Sequence, residues 1–414
     1  MDKDIRVIAE KCSKFQEVDA SELPLLRPYA ENFLDRDWLD TRLEEHKAWA
    51  KNNSDPFLQH NFLHRPIGFN MLVSAIWAAH YWEREHQSDA SFQPRMGAIR
   101  LMNIASSLAV LELHAEQWLN SASREHLKQR LQSTEDLWGV IHELNTFAFF
   151  IRQGAVVDPH FLKRASTREI TINWRGNVIP VQCKNLRPGT GRSISQELFI
   201  NLASYIALDM RKAKKSLIIK IGATGKIPEE DIEFLRLQAQ KFAEPTIAPI
   251  LVKNKERIYS ILSQQLPNQF TETSSEEHLA DSLYLRMIIS EPEVRSGKYK
   301  PVAVVGIESN PIEKPLNSLK SAIMKGVKQL QCDKPGILAI YYTDPVEKFD
   351  DLCAGVTTMQ VFISQLLTPF PHVGAVILSS EPNYLGPVTS KAGKTYVYFR
   401  QPWAFPEDFL QDNP

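Results

Sequence analysis

The stretch Arg168–Lys184 constrains this chain more than any other. Its first half alternates: Glu169, Thr171 and Asn173 are polar, while Ile170, Ile172 and Trp174 are apolar. Successive strand side chains point to opposite faces, so this is a strand with one polar and one buried face. In the second half, Ile179, Val181 and Cys183 form the apolar set, and Val178, Pro180, Gln182 and Lys184 the other. With Arg175-Gly176 as a two-residue turn, paired residue numbers sum to 351; with Gly176-Asn177 the sum is 353. Both registers put the apolar sets on one face. A one-residue slip of pairing breaks that match.

In either register Glu169, Gln182 and Lys184 project together. A carboxylate, an amide two residues before a lysine, and a hairpin scaffold suit metal-assisted phosphodiester hydrolysis. Hard cations such as Mg²⁺, or Mn²⁺ in its place, take oxygen ligands. Glu169 supplies charge and Gln182 a neutral oxygen. The metal polarises phosphate and helps generate hydroxide. Lys184 is suited to position the water or to stabilise developing negative charge.

The surrounding pattern gives this hairpin a place. Residues 1–130 read as helical, with apolar residues at spacings of three and four, and five of the eight tryptophans lie there. The helical core so implied is also a candidate surface for a protein partner. Asp136–Gln153 reads as a strongly apolar helix ended by Gly154. Strands follow at Ala155–Val157, Glu169–Trp174 and Val178–Lys184. A loop at Leu186–Gly191, a helix at about Ser193–Met210 and a buried strand at Ser216–Ile221 come next. Further on, strands are expected at Ser282–Ser290, Val302–Glu308, Gly336–Tyr342 and Val373–Ser379, with a helix at about Leu316–Leu330. This second half loosely echoes the first. Glu272–Glu277 reads as an exposed linker or loop.

The segment Val181-Gln182-Cys183-Lys184-Asn185 resembles the Q-x-K variant of the PD-(D/E)XK nuclease superfamily, as found in its Mrr-type restriction branch. That family's core is ordered helix, three strands, helix, strand. The resemblance covers about residues 135–222. It implies a restriction-endonuclease-like core, with an acidic residue on the first helix near the metal. Glu143 in His142-Glu143-Leu144-Asn145 takes that position, one turn from Val140 and Phe147, so it is expected to be partly buried and to need a partner. Two positions depart from the family pattern. Glu169, preceded by Arg168, stands where the family carries Asp, and Gln182 stands for the usual acid; both should weaken metal affinity. Asp158 is an alternative acid. DNA as substrate, and restriction or anti-phage defence as the setting, come from the resemblance alone.

The whole chain of 414 residues carries 48 Lys and Arg against 49 Asp and Glu, a net charge of −1. That balance conceals an uneven distribution. Residues 160–226 hold thirteen Lys or Arg and three acids, a local net of +10, so the remainder carries −11. A basic stretch around a metal site is what a phosphate polymer requires. Lys163, Arg164, Arg187 and Arg192 are the expected phosphate contacts.

The expected architecture is therefore α/β (α+β): a helical N-terminal domain (1–134), a nuclease core (135–226) and a C-terminal α/β region (227–414). The function expected is that of a Mg²⁺-dependent endonuclease acting on DNA. In it Glu143, Glu169 and Gln182 hold the metal and Lys184 is catalytic. The alternative is a catalytically inactive nuclease fold used for nucleic-acid binding or assembly. A charged N-terminus and four widely spaced cysteines point to the cytoplasm, with no membrane span expected, and oligomerisation stays open. Several weaker signals carry little. Gly222-Ala223-Thr224-Gly225-Lys226 is too short for a Walker A loop, and His142-Glu143 lacks the second histidine of a zincin helix. His60 and His64 lack a clear third metal ligand, and Gly189-Thr190-Gly191 is a weak phosphate cradle.

Overall fold

The structure is a computed structural model. It describes the chain except residues 15–17, 53–69, 85–91, 164–168, 187–193, 195, 224, 267–282, 293–298, 310–314, 331–334, 343–355, 381–394 and 400–414. Arg164, Arg187, Arg192, His60, His64 and the expected linker at 272–277 lie outside the described residues. Two compact units are formed. The first comprises Met1–Glu45, Phe69–Pro188 and Leu316–Pro414; the second comprises His46–Gly68 and Gly189–Pro315.

The N-terminal region is helical, as its periodicity predicts: Lys3–Cys12 (α1), Leu23–Phe33 (α2), Arg36–Asn52 (α3), Met71–Arg84 (α4), Phe92–His114 (α5) and Ser121–Gln132 (α6). Helix α5 is apolar around most of its circumference and packs against α1, α2 and α4. A helix of that composition belongs inside a cluster. Leu137–Arg152 (α7) follows the same logic, with every residue from Val140 to Phe150 buried. Gly154, at φ +79°, closes it in the left-handed conformation, and the Ala155 N–H donates to the Phe150 carbonyl.

The first unit's sheet contains Val156–Asp158 (β1), Ile170–Trp174 (β2) and Asn177–Leu186 (β3) as an antiparallel meander. The register is that of the 351 sum: Ile170 faces Val181, Ile172 faces Ile179 and Trp174 faces Asn177. Arg175 (φ +48°) and Gly176 (φ +85°) are both left-handed. That is the conformation a tight hairpin turn with right-twisted strands demands.

The fourth strand of this sheet corrects the sequence expectation. The strand beside β3 is Gly336–Tyr342 (β9), running parallel to it, and not the one near 216–221. Val373–Ser380 (β10) pairs parallel to β9, and Thr395–Phe399 (β11) pairs antiparallel to β10. The helix Pro315–Gln329 (α10) precedes β9, and Val356–Leu367 (α11) precedes β10. The sheet is covered on both faces. Ile172, Val181, Ala339 and Ile377 pack toward α7 and the N-terminal helices. Leu186, Leu338, Ile340 and Val376 pack with Leu319, Ile323 and Val327 of α10 and Ile363 of α11. Burial on both sides explains why β9 and β10 read as unbroken apolar runs.

The strand expected at 216–221 is Leu217–Ala223 (β4) and belongs to the second unit. Its sheet also holds Ile250–Asn254 (β5), Arg257–Gln265 (β6), Leu283–Pro292 (β7) and Tyr299–Ser309 (β8), in the order β5-β6-β4-β8-β7. Gln196–Lys212 (α8) and Ile232–Lys241 (α9) cover one face, through Leu202, Ile206 and Leu235 against Ile219, Ile221 and Val305. Asp231, fully buried, accepts hydrogen bonds from Asn254, Arg257 and the Tyr259 hydroxyl, tying the start of α9 to the β5–β6 hairpin. The two sheets have different strand orders. Local similarity of hairpin, helix and strand along the sequence therefore does not extend to their topology. Among the described residues, no helix is long and apolar enough to cross a membrane.

Candidate active site

The first unit brings Glu143, Glu169 and Lys184 close enough for their charges to act on one another, while Gln182, buried, lies on the β3 face turned toward α10. Glu143 comes from the middle of α7, Glu169 from the residue before β2, and Gln182 and Lys184 from β3. Strand pairing does the positioning. Ile170 faces Val181, so the next level outward sets Glu169 against Gln182. The Glu169 carboxylate accepts hydrogen bonds from the Cys183 backbone N–H and, at 3.2 Å, from Lys184 Nζ. On its other side β3 has β9 as neighbour, where Gln182 pairs with Leu338 and Lys184 with Ile340. Helix α10 closes over the lysine stem at Gly326. A Cβ there would lie 2.8 Å from Leu338 Cδ2 and 3.4 Å from Lys184 Cγ.

Glu143 has the partner its burial requires. Arg130, in the last turn of α6, grips it with both ends of its guanidinium: Nη1 donates to Oε2 at 2.7 Å and Nη2 to Oε1 at 3.1 Å. The parallel fork matches carboxylate geometry. Sequence reasoning missed Arg130, which lies thirteen residues upstream on a different helix. The signal available was indirect: a buried carboxylate demands a cation.

Burial dominates the electrostatics. Glu143 is 6% exposed and Gln182 2%. Burial pushes the Glu143 carboxyl above the ordinary carboxylate range, with Arg130 opposing, and pushes Glu169 the same way, with Lys184 opposing. The Cys183 thiol is raised well above its usual value, by burial first and then by Glu169 and Glu143. Cys183 is accordingly an inert core thiol, not a nucleophile.

Next to Glu143 on α7, His142 reaches across to the sheet. Its Nε2 donates to the Ala339 carbonyl at 2.9 Å, and its ring stacks on Tyr341, which in turn stacks on Trp138. Burial lowers the His142 pKa to about 4. The neutral ring thus pins α7 to β9 and fixes the rotation of the helix that presents Glu143.

Of the expected phosphate contacts, Lys163 is described. It is exposed, with Nζ 4.4 Å from the centroid of the Trp118 ring. His160 packs edge-on against the same ring and bonds Thr171 at 3.1 Å. Asp158, the alternative acid, pairs with Thr171 on β1. It lies two residues along the sheet from the level of Glu169 and Gln182. The described part of the basic stretch is divided between units: Lys163, Arg175 and Lys184 belong to the first, and the lysines and arginines from Arg211 onward to the second.

Glu143 and Glu169 together offer carboxylate oxygens and two negative charges, the chemistry a hard divalent cation prefers. Both carboxylates are already paired, however, and the four charges of Arg130, Glu143, Glu169 and Lys184 sum to zero. Among the described residues, no group of three or more His, Cys, Asp or Glu is placed to hold a metal. Any cation held by these two carboxylates would have to displace or share the existing ion pairs. Comparisons with family models, with curated proteins and with solved structures return no match for this chain.

Proposed function

We propose that the first unit is a restriction-endonuclease-like nuclease core and that the chain hydrolyses DNA phosphodiester bonds with a divalent metal. The observation that carries this reading is the approach of Glu143 on α7, Glu169 just before β2 and Lys184 on β3, with Gln182 on the same strand face as Lys184. The topology supports it as well. Helix α7, the meander β1–β3, then α10 and the parallel strand β9 reproduce the order of the family core, with residues 189–315 intervening before the final helix and strand.

In this function Glu169 and Glu143 would hold the metal through carboxylate oxygens, and Gln182 would contribute its amide oxygen. A bound ion would supply Lewis acidity at the phosphate and lower the pKa of attacking water. Lys184, anchored by Glu169, offsets the negative charge that develops at the phosphate. The low exposure of the cluster strengthens each of these interactions relative to water. Lys163, on its Trp118 platform, is available to a phosphate of the backbone. DNA rather than RNA, and defence against foreign DNA as the setting, rest on the resemblance alone.

Cleavage of plasmid and single-stranded substrates, with Mg²⁺ and with Mn²⁺, tests the reading. Metal-dependent cutting by the wild type should fall by about 10²-fold or more in Lys184→Ala, the scale of loss for one oriented charge in a buried site. Equal, weak cutting by the two proteins would remove the enzymatic reading.

One observation favours a second reading. The Arg130 grip on Glu143 leaves the cluster neutral and closed without a metal, as a nuclease fold retained for binding or assembly would be. Salt-dependent nucleic-acid binding in the absence of any cleavage would decide for it.

A further inference from the structure

Arg130 creates a conflict at the site. A guanidinium that uses both its outer nitrogens on both oxygens of Glu143 takes one lone pair on each and sets a fixed positive charge beside any metal that would bind the others. The Arg130 side chain is 19% exposed, against 8% for Glu143, so the arginine faces outward from the carboxylate. It also donates a long bond of 3.5 Å to the Phe161 carbonyl. Phe161 belongs to the single-turn helix His160–Leu162, which also carries His160, and the exposed Lys163 follows it. The backbone ties this turn to the site, because the Phe161 N–H donates to the Glu169 carbonyl at 2.8 Å. Arg130 thus lies between Glu143 on one side and the turn that leads to the exposed Lys163 on the other.

We propose that Arg130 is a positioning residue that competes with the divalent cation for Glu143 and is drawn off it by a backbone phosphate of the nucleic acid. Metal and nucleic acid then bind cooperatively. This inference rests on the nuclease reading of the same site. The fork of an arginine fits phosphate as well as carboxylate, so the exchange replaces one bidentate partner with another. Each ligand removes the obstacle to the other. A metal at Glu143 is repelled by the Arg130 charge while the fork is in place, and Arg130 leaves for phosphate at least cost when Glu143 has another cation. Thermodynamic linkage requires the two effects to be equal in size. In the unloaded protein the arginine supplies the charge that the metal will later bring, which keeps two buried carboxylates from facing each other unneutralised.

The test measures Mn²⁺ affinity of the full chain by electron paramagnetic resonance, with and without a phosphorothioate DNA duplex. The wild type should bind Mn²⁺ weakly alone and about tenfold more tightly with the duplex, the scale on which a partner of a metal ligand shifts affinity. Arg130→Gln should bind Mn²⁺ tightly without DNA and gain nothing from it. Arg130→Lys keeps the charge, loses the fork and should fall between them. It carries the test if thermal melting or near-ultraviolet circular dichroism shows Arg130→Gln to be unfolded. Equal Mn²⁺ affinities in wild type and variants, with the wild type still cutting DNA, would overturn the role of Arg130 and leave the nuclease reading standing. No Mn²⁺ binding by any of them, together with no cutting by the wild type, would overturn the nuclease reading and this inference with it.

Discussion

His142 shows how much one side chain contributes beside the proposed site. Held neutral in the core with its pKa lowered to about 4, it binds a proton less readily than a histidine in the unfolded chain, near 6.5. Between those two values the unfolded state takes up more protons, so stability rises with pH through that window and is lost as pH falls. The contribution amounts to about 3 kcal/mol across the full window, at 1.36 kcal/mol per pKa unit. Urea midpoints measured from pH 7 to pH 4 should fall more steeply for the wild type than for His142→Gln. Parallel curves would show that His142 is not the source. At this scale the sequence was only partly legible. Glu169, Gln182 and Lys184 were found because they share one hairpin, where alternation specifies which face each occupies. Arg130 was not found, because a contact between two helices leaves no periodic trace. The need for it, a buried Glu143 without a cation, was readable all the same.

At the level of elements, α10 sets the position of Lys184. Gly326 lets the helix approach β3 and β9 so closely that even a methyl group there meets Leu338. Gly326→Ala overpacks this contact and should cost about 1–3 kcal/mol. The flexible end of Leu338 will yield part of the space and the Lys184 stem the rest. A fall in denaturant midpoint accompanied by a loss of cutting larger than the loss of folded protein would show that the helix seats the lysine. A fall in stability alone would make Gly326 a packing residue only. The elements themselves followed well from pattern. Helix α7 and its glycine end, the hairpin, and the apolar runs of β9 and β10 were all visible as segments. The partner of β3 was not. A strand buried on both faces carries no mark of which other buried strand lies beside it, and nearness along the chain misleadingly favoured β4.

For the whole molecule, the important fact is that the first unit is built from three separated stretches of chain. Its cores on the two faces of the sheet draw on residues from both before 188 and after 316. Replacing Gly189–Pro315 by a flexible linker should therefore leave the first unit able to fold, since loop closure costs grow only slowly with length. Cooperative thermal unfolding and a retained helical circular-dichroism signal are expected for that deletion. A molten, non-cooperative product would show that the second unit is needed for the first to form. The division into units could not be read from composition, because both contain the same alternation of helices and apolar strands. The clustering of basic residues over 160–226 was real as a property of the sequence. It crosses the boundary between the units and does not describe one of them.

The parallel pairing of β3 with β9 also has a consequence in time. Lys184 and Ile340, neighbours in the sheet, are about 150 residues apart along the chain. At roughly 5–20 residues per second of synthesis, β3 waits on the order of ten to thirty seconds for its neighbour to be made. Helices α1–α7 and the hairpin are complete by then, while the side of β3 that carries Gln182, Lys184 and Leu186 is still without α10 and β9. A ribosome that stalls or terminates early between residues 190 and 330 therefore releases a chain whose lysine has no seat.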